Sequence, residues 1–565
     1  MPYHPSIMFV RVKSTPNSPR QSVQIVESVR QGDQVKQRIV RHVGIALNDE
    51  ELVQLRHLAT EFMLRMEAER LSDGSLFATS PQELSVRKRG RPKRVDVTQV
   101  AGVDQVALGD LVEEARHIEG PHEALGHLYD YLGFHTLLRS KRYNALLKDL
   151  VLARIMHPGS KASTQKHLQQ QWGRSHDLDA IYRMMDQLEE RLPEMKRAVY
   201  QATASLTQGQ VDLMLFDVTT LYFESVRTDE LRTFGYSKDQ KYHCTQVVLA
   251  LATNAEGLPI GYELFAGNTA EVHTLLASIE EWRQRMSIER VTVVADRALC
   301  SRQNLTQLEQ AQCQYVVAMP LRRTLKQTQA AELQQARDFR LQVLDEQPIW
   351  VREFDFEGRR LIVTYSTSRA RKDEADRQAI LEKLKPKLGA QANAKKLISN
   401  SGYLKYIEAE GQPGTFVLNE GKIADEARWD GLHAILTNDK ETAASVLLGR
   451  YRRLWVIEES FRIHKHSLAV RPIFHFKPER IKAHIGLCFL AFALLRQAQQ
   501  RIRLAQSAMS PEVIRDALMG VQASILKHKK TGVRYRLPSR FSQTAATLYK
   551  ALGVKRRLDA EVYLS

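Results

Sequence analysis

The chain has 565 residues, of which 43% are hydrophobic and 26% are charged, which describes a soluble globular protein of two to four structural units. Its 82 Lys and Arg against 65 Asp and Glu give a net charge of +17, which indicates a polyanionic partner such as nucleic acid, with an anionic membrane surface as the rival. No apolar run reaches the roughly 20 residues of a spanning helix, and the start of the chain lacks a signal-peptide pattern, so we expect no membrane association.

The cysteines indicate a reducing compartment. They are scattered and form no C-x-x-C pair of the kind that binds zinc: Cys244, Cys300, Cys313 and Cys488. A cytoplasmic location fits this pattern.

The first predicted unit covers residues 1–72. Two alternating runs within residues 9–44 flank the turn sequence Q-G-D-Q, which predicts a β-hairpin. Helical periodicity follows to about Leu71. We expect a small α+β unit.

A basic linker is predicted over residues 73–107. It contains the run R-K-R-G-R-P-K-R at positions 87–94. Its R-G-R-P core resembles an AT-hook, in which Arg89 and Arg91 would enter a narrow minor groove. The alternative is a solvated linker that attracts phosphates without specificity.

Residues 108–207 read as a helical domain. Periodicity close to 3.6 predicts four helices, over Leu111–Ile118, His122–Leu132, Tyr143–Met156 and Leu178–Ala204. A DNA-binding domain and a helical support domain explain this pattern equally well, because no recognition-helix pattern stands out.

The segment 208–320 changes to the order β-β-β-α-β-α-β. The apolar strand 211–217 ends in Asp217, and the strand 291–296 ends in Asp296. Ligands of α/β sheets gather at the carboxyl ends of strands. The two aspartates are therefore expected side by side if these strands are neighbours.

An insertion of mixed structure is predicted over residues 321–437, with a strand pair near 349–365, a basic helix near 370–388, and strands near 414–419 and 431–437. The core is expected to resume over 438–503. Residues 504–565 read as a helical basic tail, in which Arg534-Tyr535-Arg536 suits either a nucleic-acid surface or a solvated face.

One predicted helix, from about Thr442 to about Lys465, carries a third carboxylate. At 100° per residue, Tyr451, Glu458, Arg462 and Lys465 share one face with apolar side chains, and Glu459 lies off it. A carboxylate on a partly apolar face is costly unless a metal ion or an arginine compensates its charge. The alternative is an ordinary i,i+4 pair of Glu458 with Arg462.

Asp217, Asp296 and Glu458 together suit a hard, oxygen-preferring cation such as Mg²⁺ or Mn²⁺. Two such ions about 4 Å apart would clamp the attacking and leaving oxygens of a phosphodiester. A basic protein would bring that substrate to them.

The order of elements, with these three acids in these places, resembles the RNase H-like core of DDE transposases. The resemblance is to the bacterial insertion-sequence group with the signature Y-x-x-R-x-x-x-E-x-x-x-x-x-x-K, matched by Tyr451, Glu458 and Lys465. The chain departs from it at Leu454, where the signature has arginine. Arg462 is the geometric substitute on the same helix face.

The resemblance implies an α/β fold: an RNase H-like mixed sheet with helices on both faces, interrupted by an insertion subdomain and flanked by helical N-terminal and C-terminal regions. It implies a DNA transposase in which the three acids hold two Mg²⁺ ions, with Mn²⁺ as a substitute. The enzyme would cut the inverted-repeat ends of its element and join the 3′-OH ends to target DNA.

Tyr451 and Lys465 would contact DNA near the cleaved end, with Arg462 in the arginine role. Trp350, Trp429 and Trp455 are either base-stacking residues or ordinary core residues. A homodimer on double-stranded DNA and a nucleoid-associated location in a bacterial cytoplasm are implied by analogy. Two alternatives remain: a catalytically silent DNA-binding regulator, and another RNase H-like nuclease such as a junction resolvase.

Overall fold

A computed structural model describes residues 8–14, 21–31, 34–46, 49–72, 106–207, 213–235, 243–286, 292–325, 339–344, 347–388, 401–409, 415–506 and 508–563. The chain divides into two compact units. The first unit is Met1–Gln210 with Ile463–Ser565, and the second is Val211–Arg462.

The strands are β1 Met8–Ser14, β2 Gln21–Gln31, β3 Gln34–Ala46, β4 Leu111–Ile118, β5 Leu213–Tyr222, β6 Gln246–Thr253, β7 Pro259–Ala266, β8 Thr292–Ala295, β9 Gln314–Ala318, β10 Arg340–Leu344, β11 Gln347–Phe356, β12 Arg359–Tyr365, β13 Ile407–Ala409, β14 Phe416–Leu418, β15 Leu432–Thr437, β16 Gln522–His528, β17 Arg534–Pro538 and β18 Glu561–Val562.

The α-helices are α1 Asp49–Ser72, α2 Gly126–Tyr131, α3 Lys141–Met156, α4 Lys161–Trp172, α5 Leu178–Glu190, α6 Leu192–Leu206, α7 Glu271–Met286, α8 Arg302–Gln310, α9 Leu321–Thr324, α10 Thr367–Leu384, α11 Ser401–Leu404, α12 Glu420–Ala427, α13 Ala444–Arg452, α14 Trp455–Arg462, α15 Pro478–Ala505, α16 Pro511–Met519 and α17 Gln543–Leu552.

The first unit is built around α15. This helix has the length and apolar character to cross a membrane, but 94% of its apolar window is buried inside the protein, as in a core helix. Helices α3, α5 and α6 pack against it, and so does strand β3. At Gly44 of β3, an added Cβ would lie 2.0 Å from the carbonyl oxygen of Leu504, so the close approach of strand and helix requires glycine there.

The N-terminal hairpin and helix are present as predicted. Strands β2 and β3 form the hairpin, β1 adds a third antiparallel strand, and α1 packs on this sheet. The predicted helix over 178–204 is two helices, α5 and α6, which meet at Arg191 just before Pro193. Proline cannot continue a helix from the preceding turn, and this explains the break.

The prediction of a helix at Leu111–Ile118 is wrong, because this segment is strand β4, paired antiparallel with β16. The prediction of a purely helical C-terminal tail is wrong for the same reason, since β16, β17 and β18 complete a four-stranded sheet with β4. The partner strands lie about four hundred residues apart in the chain, so local propensity could not reveal the pairing.

Three arginines of this tail form ion pairs within the first unit. Arg536 donates two hydrogen bonds to the carboxylate of Glu119, and Arg556, whose side chain is fully buried, bridges Glu119 and Glu123. Arg534 pairs with Glu114 of β4. Two of these arginines belong to the predicted nucleic-acid surface, and in the structure they fasten the tail to its own unit.

The second unit is a nine-stranded mixed sheet in the order β10-β11-β12-β15-β9-β8-β5-β6-β7. The centre of this sheet is the predicted β-β-β-α-β-α-β segment. Strands β5, β6 and β7 form an antiparallel meander, and β8 and β9 run parallel to β5. Trp282 of α7 packs 6.0 Å from Phe216 on one face of β5. Helix α14 also packs on β5. The mixed α/β fold is as predicted.

One predicted strand boundary of this unit is wrong. The strand that contains Asp217 does not end there, because β5 continues to Tyr222 in its pairing with β6. Most described strands of the predicted insertion join the large sheet, whereas β13 and β14 form a separate two-stranded sheet. Strand β15 pairs with β9, and β12, β11 and β10 extend the same sheet outward from it.

The predicted continuous helix over 442–465 is also wrong. Helix α13 ends at Arg452, a turn follows at Arg453 and Leu454, and α14 begins at Trp455. A π-helical turn over Ile463–Ser467 comes next. The second unit ends at Arg462, so residues 463–503, predicted to close the core, lie in the first unit. The finer division into seven segments stays a prediction.

A buried group of nitrogen bases lies inside the first unit. Nζ of Lys161 is 3.1 Å from Nδ1 of His484, and the ring centroids of His484 and His475 are 5.3 Å apart. Burial, and then the charge of Arg154, lowers the pKa of Lys161 to about 7. The unit therefore holds a lysine whose charged form is disfavoured near neutral pH.

We predict that Lys161 makes the stability of this unit depend on pH. The unfolded chain keeps this proton up to about pH 10.5 and the folded chain only to about pH 7. The free energy of unfolding should therefore rise with pH in this window, by at most about 1.4 kcal/mol per pH unit. Lys161→Met should remove this slope. Urea titrations at several pH values measure the free energy of unfolding. Pulsed hydrogen exchange, with every labelling pulse at the same pH, reports the fraction of molecules in which α4 is unfolded.

Lys166→Met is the matched control, because Lys166 lies exposed on the same helix. It should keep the pH slope of the wild type. An unchanged slope in Lys161→Met would contradict the prediction.

Candidate active site

Asp217 and Asp296 are brought together by the pairing of β5 with β8. These strands run parallel, and their last pair in register is Phe216 with Ala295. The next residue on each strand is an aspartate. Neighbouring strands lie about 4.8 Å apart, and residues in register on parallel strands project from the same face. The two carboxylates therefore leave the sheet side by side.

Each aspartate has one oxygen held by the backbone. Oδ1 of Asp217 accepts a 2.7 Å hydrogen bond from the N–H of Val218, and Oδ1 of Asp296 accepts one of 2.7 Å from the N–H of Arg297. Asp296 also caps the short 3₁₀ helix Arg297–Leu299. These bonds fix the side chains near the end of the parallel pairing.

Glu458 reaches the same region from α14. It lies in the first turn of this helix, which packs against β5 and β6 through its buried side. Val456 and Ile457 are buried, whereas Glu458 is exposed. The apolar side chains anchor the helix on the sheet and leave the carboxylate facing solvent.

A cleft of about 430 Å³ joins the three carboxylates. Asp217, Asp296 and Glu458 line it together with Ile349, Thr364, Ser366, Arg369, Gly431, His433, Leu448, Tyr451, Arg452, Leu454 and Ile457. The lining comes from β5, from the residue after β8, from residues 349–433, and from α13 and α14 with the turn between them.

The oxygen-only donors suit a hard divalent cation. They are not drawn together to ligand distance, however: within the part of the chain that the structure describes, no three His, Cys, Asp or Glu side chains are grouped closely enough to hold a metal ion. The carboxylates would have to move closer to share a cation.

His433 and Tyr451 form an aromatic wall of the cleft, with ring centroids 5.1 Å apart. Burial, and then the charge of Arg369, lowers the pKa of His433 to about 4, while Asp296 acts in the opposite direction. Burial, and then the charge of Asp296, raises the pKa of Tyr451 to about 12. At neutral pH the imidazole and the phenol are therefore both uncharged.

Arg462 does not lie on the cleft face that one continuous helix would give it, and its DNA-binding role stays a prediction. Its side chain is 72% exposed, its Nη2 lies 3.9 Å from Oε1 of Glu459, and it does not line the cleft. The turn at Arg453 and Leu454 breaks the helix, so angles counted along one continuous helix do not apply.

The other predicted DNA contacts lie elsewhere in the chain. Tyr451 lines the cleft. Lys465 lies in the π-helical turn Ile463–Ser467 of the first unit. Arg89 and Arg91 are outside the described residues. Their roles stay predictions.

Sequence reasoning missed three residues of the cleft: Arg369, Arg452 and His433. Arg452 is the last residue of α13, and a turn follows it, so angles counted along one continuous helix do not describe its position. Arg369 and His433 come from the predicted insertion, and only the pairing of β12 and β15 with the rest of the sheet brings them to the cleft. One feature of the sequence indicated that another residue would have to supply this positive charge: position 454 is leucine where the signature has arginine.

Comparisons with known proteins give two family matches. The model of the transposase DDE domain matches residues 210–494, which is half of the chain. The model of the N-terminal domain of IS1634 family transposases matches residues 9–69. The first match contains all three carboxylates of the cleft, and the second covers the N-terminal sheet and most of α1.

Among solved structures, the chain is similar to a piggyBac transposase in a synaptic complex with hairpin DNA. The identity is 9%, the TM-score is 0.35, and the match covers 71% of this chain and 77% of that one. A similarity of this size is too low to bear on fold or function. No curated protein matches the chain.

We predict opposite shifts of the His433 pKa on removal of the two charges near it. Arg369→Ala removes a positive charge that disfavours the imidazolium, so the pKa should rise but stay below 6.5, because burial remains. Asp296→Asn should lower it. NMR titration of labelled histidine without divalent cations measures both, with His433→Phe assigning the signal.

Arg371→Ala is the control, since Arg371 lies on the same helix outside the cleft lining. It should leave the His433 titration unchanged. Equal shifts in Arg369→Ala and Arg371→Ala would contradict the geometry of the cleft.

Proposed function

The chain belongs to the transposases with a DDE domain, and we propose that Asp217, Asp296 and Glu458 are the three acids of that domain. A DDE transposase is a metal-dependent DNA endonuclease that transposes DNA. One observation carries the assignment: three carboxylates far apart in the chain line a single cleft.

We propose that the three carboxylates bind two Mg²⁺ ions, for which Mn²⁺ can substitute. When bound, such ions stabilise the charge that develops on the attacking and leaving oxygens of a phosphodiester. The oxygen-only donor set supports this choice of cation. Because the carboxylates repel one another, we infer that they draw together only when cations enter between them.

The proposed substrate is double-stranded DNA: first the terminal inverted repeats of the mobile element, then a target. Asp217, Asp296 and Glu458 would hold the cations beside the reacting phosphodiester, where water would cut the end and the freed 3′-OH would attack the target. The net charge of +17 supports a DNA partner. Two ends must meet in one complex, so we propose a homodimer on DNA, acting at the nucleoid in the cytoplasm.

We propose further DNA contacts outside the carboxylates. Tyr451 would contact the DNA end within the cleft. Arg462, whose side chain is mostly exposed, and Lys465 would contact backbone phosphates beyond it. Arg89 and Arg91 would bind the minor groove of A·T-rich DNA.

The central prediction concerns the carboxylates. Asp217→Asn, Asp296→Asn and Glu458→Gln should each lower the rate of Mg²⁺-dependent cleavage at the terminal repeats by about 10³-fold or more, because several kcal/mol of transition-state stabilisation are lost. DNA binding and circular dichroism should stay close to wild type. Cleavage of a labelled duplex that carries the element's end measures the rate.

Glu459→Gln is the matched control, because Glu459 neighbours Glu458 but does not line the cleft. It should cut at close to the wild-type rate. Wild-type cleavage by any of the three cleft variants would remove that residue from the site. Binding without cleavage in Mg²⁺ and Mn²⁺ would favour a silent regulator, and cutting of branched junctions alone would favour a resolvase.

DNA affinity should fall steeply with salt. Each neutralised phosphate releases counterions, so we expect a loss on the order of 10³-fold between 50 and 200 mM salt, measured by fluorescence anisotropy. A nearly flat response would contradict phosphate binding by the basic chain.

The basic linker can be tested in the same assay. The double variant Arg89→Ala/Arg91→Ala should weaken binding to A·T-rich duplexes more than Lys88→Ala/Lys93→Ala does, because only the first pair would enter the minor groove. Equal losses on all duplexes would identify a non-specific basic linker instead.

A further inference from the structure

The charges of the cleft are unbalanced for a site that receives DNA. Three carboxylates face it, and each repels a phosphate. Position 454 also lines the cleft, but its side chain is leucine. Beyond any bound cation, the protein itself supplies positive charge to the lining through two guanidinium groups, those of Arg369 and Arg452.

Arg452 is already engaged with the sheet. Its Nη1 donates a 3.1 Å hydrogen bond to the carbonyl oxygen of Leu344, the last residue of β10. This bond ties the end of α13 to the edge of the sheet. Arg452 therefore contributes charge, but its guanidinium group is held by the protein.

Arg369 is held much more loosely. Its Nε lies 3.8 Å from Oδ2 of Asp373, which is beyond hydrogen-bond distance. The same oxygen of Asp373 already accepts a 3.0 Å hydrogen bond from the N–H of Gly431. The Arg369 side chain is 51% exposed, so its donors remain accessible from the cleft.

The position of Arg369 along its helix is unfavourable for a cation. It is the third residue of α10, whose capping residue Ser366 also lines the cleft. Helix N-termini carry partial positive charge and favour anions. The first turn of α10 contains no acidic residue to offset this. An anion bound in the cleft would offset the repulsion between the Arg369 guanidinium group and the positive end of α10.

The charge of Arg369 acts on two aromatic side chains that line the cleft. It contributes to the lowered pKa of His433, and it opposes the rise in the pKa of Tyr451. Both rings line the same cleft as the carboxylates. A guanidinium group in this position faces the space that a DNA backbone would occupy between the aromatic wall and the acids.

We propose that Arg369 binds a DNA phosphate next to the bond that is cut and so positions the strand against Asp217, Asp296 and Glu458. This inference rests on the proposed function. Arginine suits the task because its planar donors can bind two phosphate oxygens at once. Arg369 is a positioning residue, supplied by the segment that the sequence analysis treated as an insertion.

The test measures DNA binding and cleavage in the same samples. The probe is a duplex with the terminal repeat, prepared as a series with one uncharged methylphosphonate at successive positions around the cleavage site. For the wild type, a methylphosphonate at one of these positions should raise the Kd for the duplex by about 10- to 100-fold. This is the loss of affinity expected when one hydrogen bond to a charged group is removed. Arg369→Ala should raise Kd similarly on unmodified DNA and be insensitive to that same methylphosphonate.

Arg369→Lys should restore part of the affinity, because it keeps the charge without the two-pronged geometry. Arg371→Ala, an exposed arginine on the same helix, should behave as wild type. Circular dichroism that matches the wild type excludes misfolding of these variants. Wild-type Kd in Arg369→Ala, or losses that multiply with the methylphosphonate at every position, would overturn the inference.

The proposed function can fail separately. If the wild type binds the duplex but never cuts it, the endonuclease assignment fails, while the methylphosphonate series still reports whether Arg369 contacts a phosphate. If the wild type cuts and Arg369→Ala binds and cuts equally well, only the inference about Arg369 fails.

Discussion

The candidate site depends on where the parallel pairing of β5 with β8 ends. Its last pair is Phe216 with Ala295, and the sheet places an aspartate next on both strands. Beyond this point β8 gives way to a 3₁₀ turn, whereas β5 continues along β6 to Tyr222. The gap beside β5 is where a ligand can approach two carboxylates from the same face. A one-residue slip in the register would separate them and turn one to the other face of the sheet.

The segment between the second aspartate and the glutamate completes the site by extending the sheet. Strand β15 pairs with β9, and β12 and β11 follow outward. This places His433 of β15 and the first turn of α10 along the cleft. Among the described strands of this segment, the short pair β13 and β14, with its small apolar cluster around Tyr406, stands apart from the large sheet. The long insertion therefore builds a wall of the cleft, and its length has a structural reason.

The sequence was informative where one local rule determined the outcome. Apolar runs ending in Asp217 and Asp296 indicated two buried strands, and the structure pairs these strands as neighbours, β5 with β8. It failed where distant pairing decides. Strand β4 was predicted as a helix because its pairing with β16, about four hundred residues away, is not visible in the local sequence. The position of Arg462 was misjudged because a turn interrupts its helix, and Arg369 was missed because its segment reaches the cleft only through the pairing of β12, β15 and β9.

Electrostatics opposes the close approach of the three acids that line the cleft. Two carboxylates 4 Å apart repel by about 1 kcal/mol in water and about 4 kcal/mol at the effective dielectric constant of a protein surface. Gathering three of them involves three such pairs, so bringing the three acids close together requires opposing charge. A divalent cation removes this repulsion, and so lowers the cost of bringing a phosphate beside the acids. The phosphate in turn adds ligands and charge that favour the cation. Cation and DNA should therefore bind cooperatively. The positive charge of Arg369 in the cleft lining would further favour the binding of DNA.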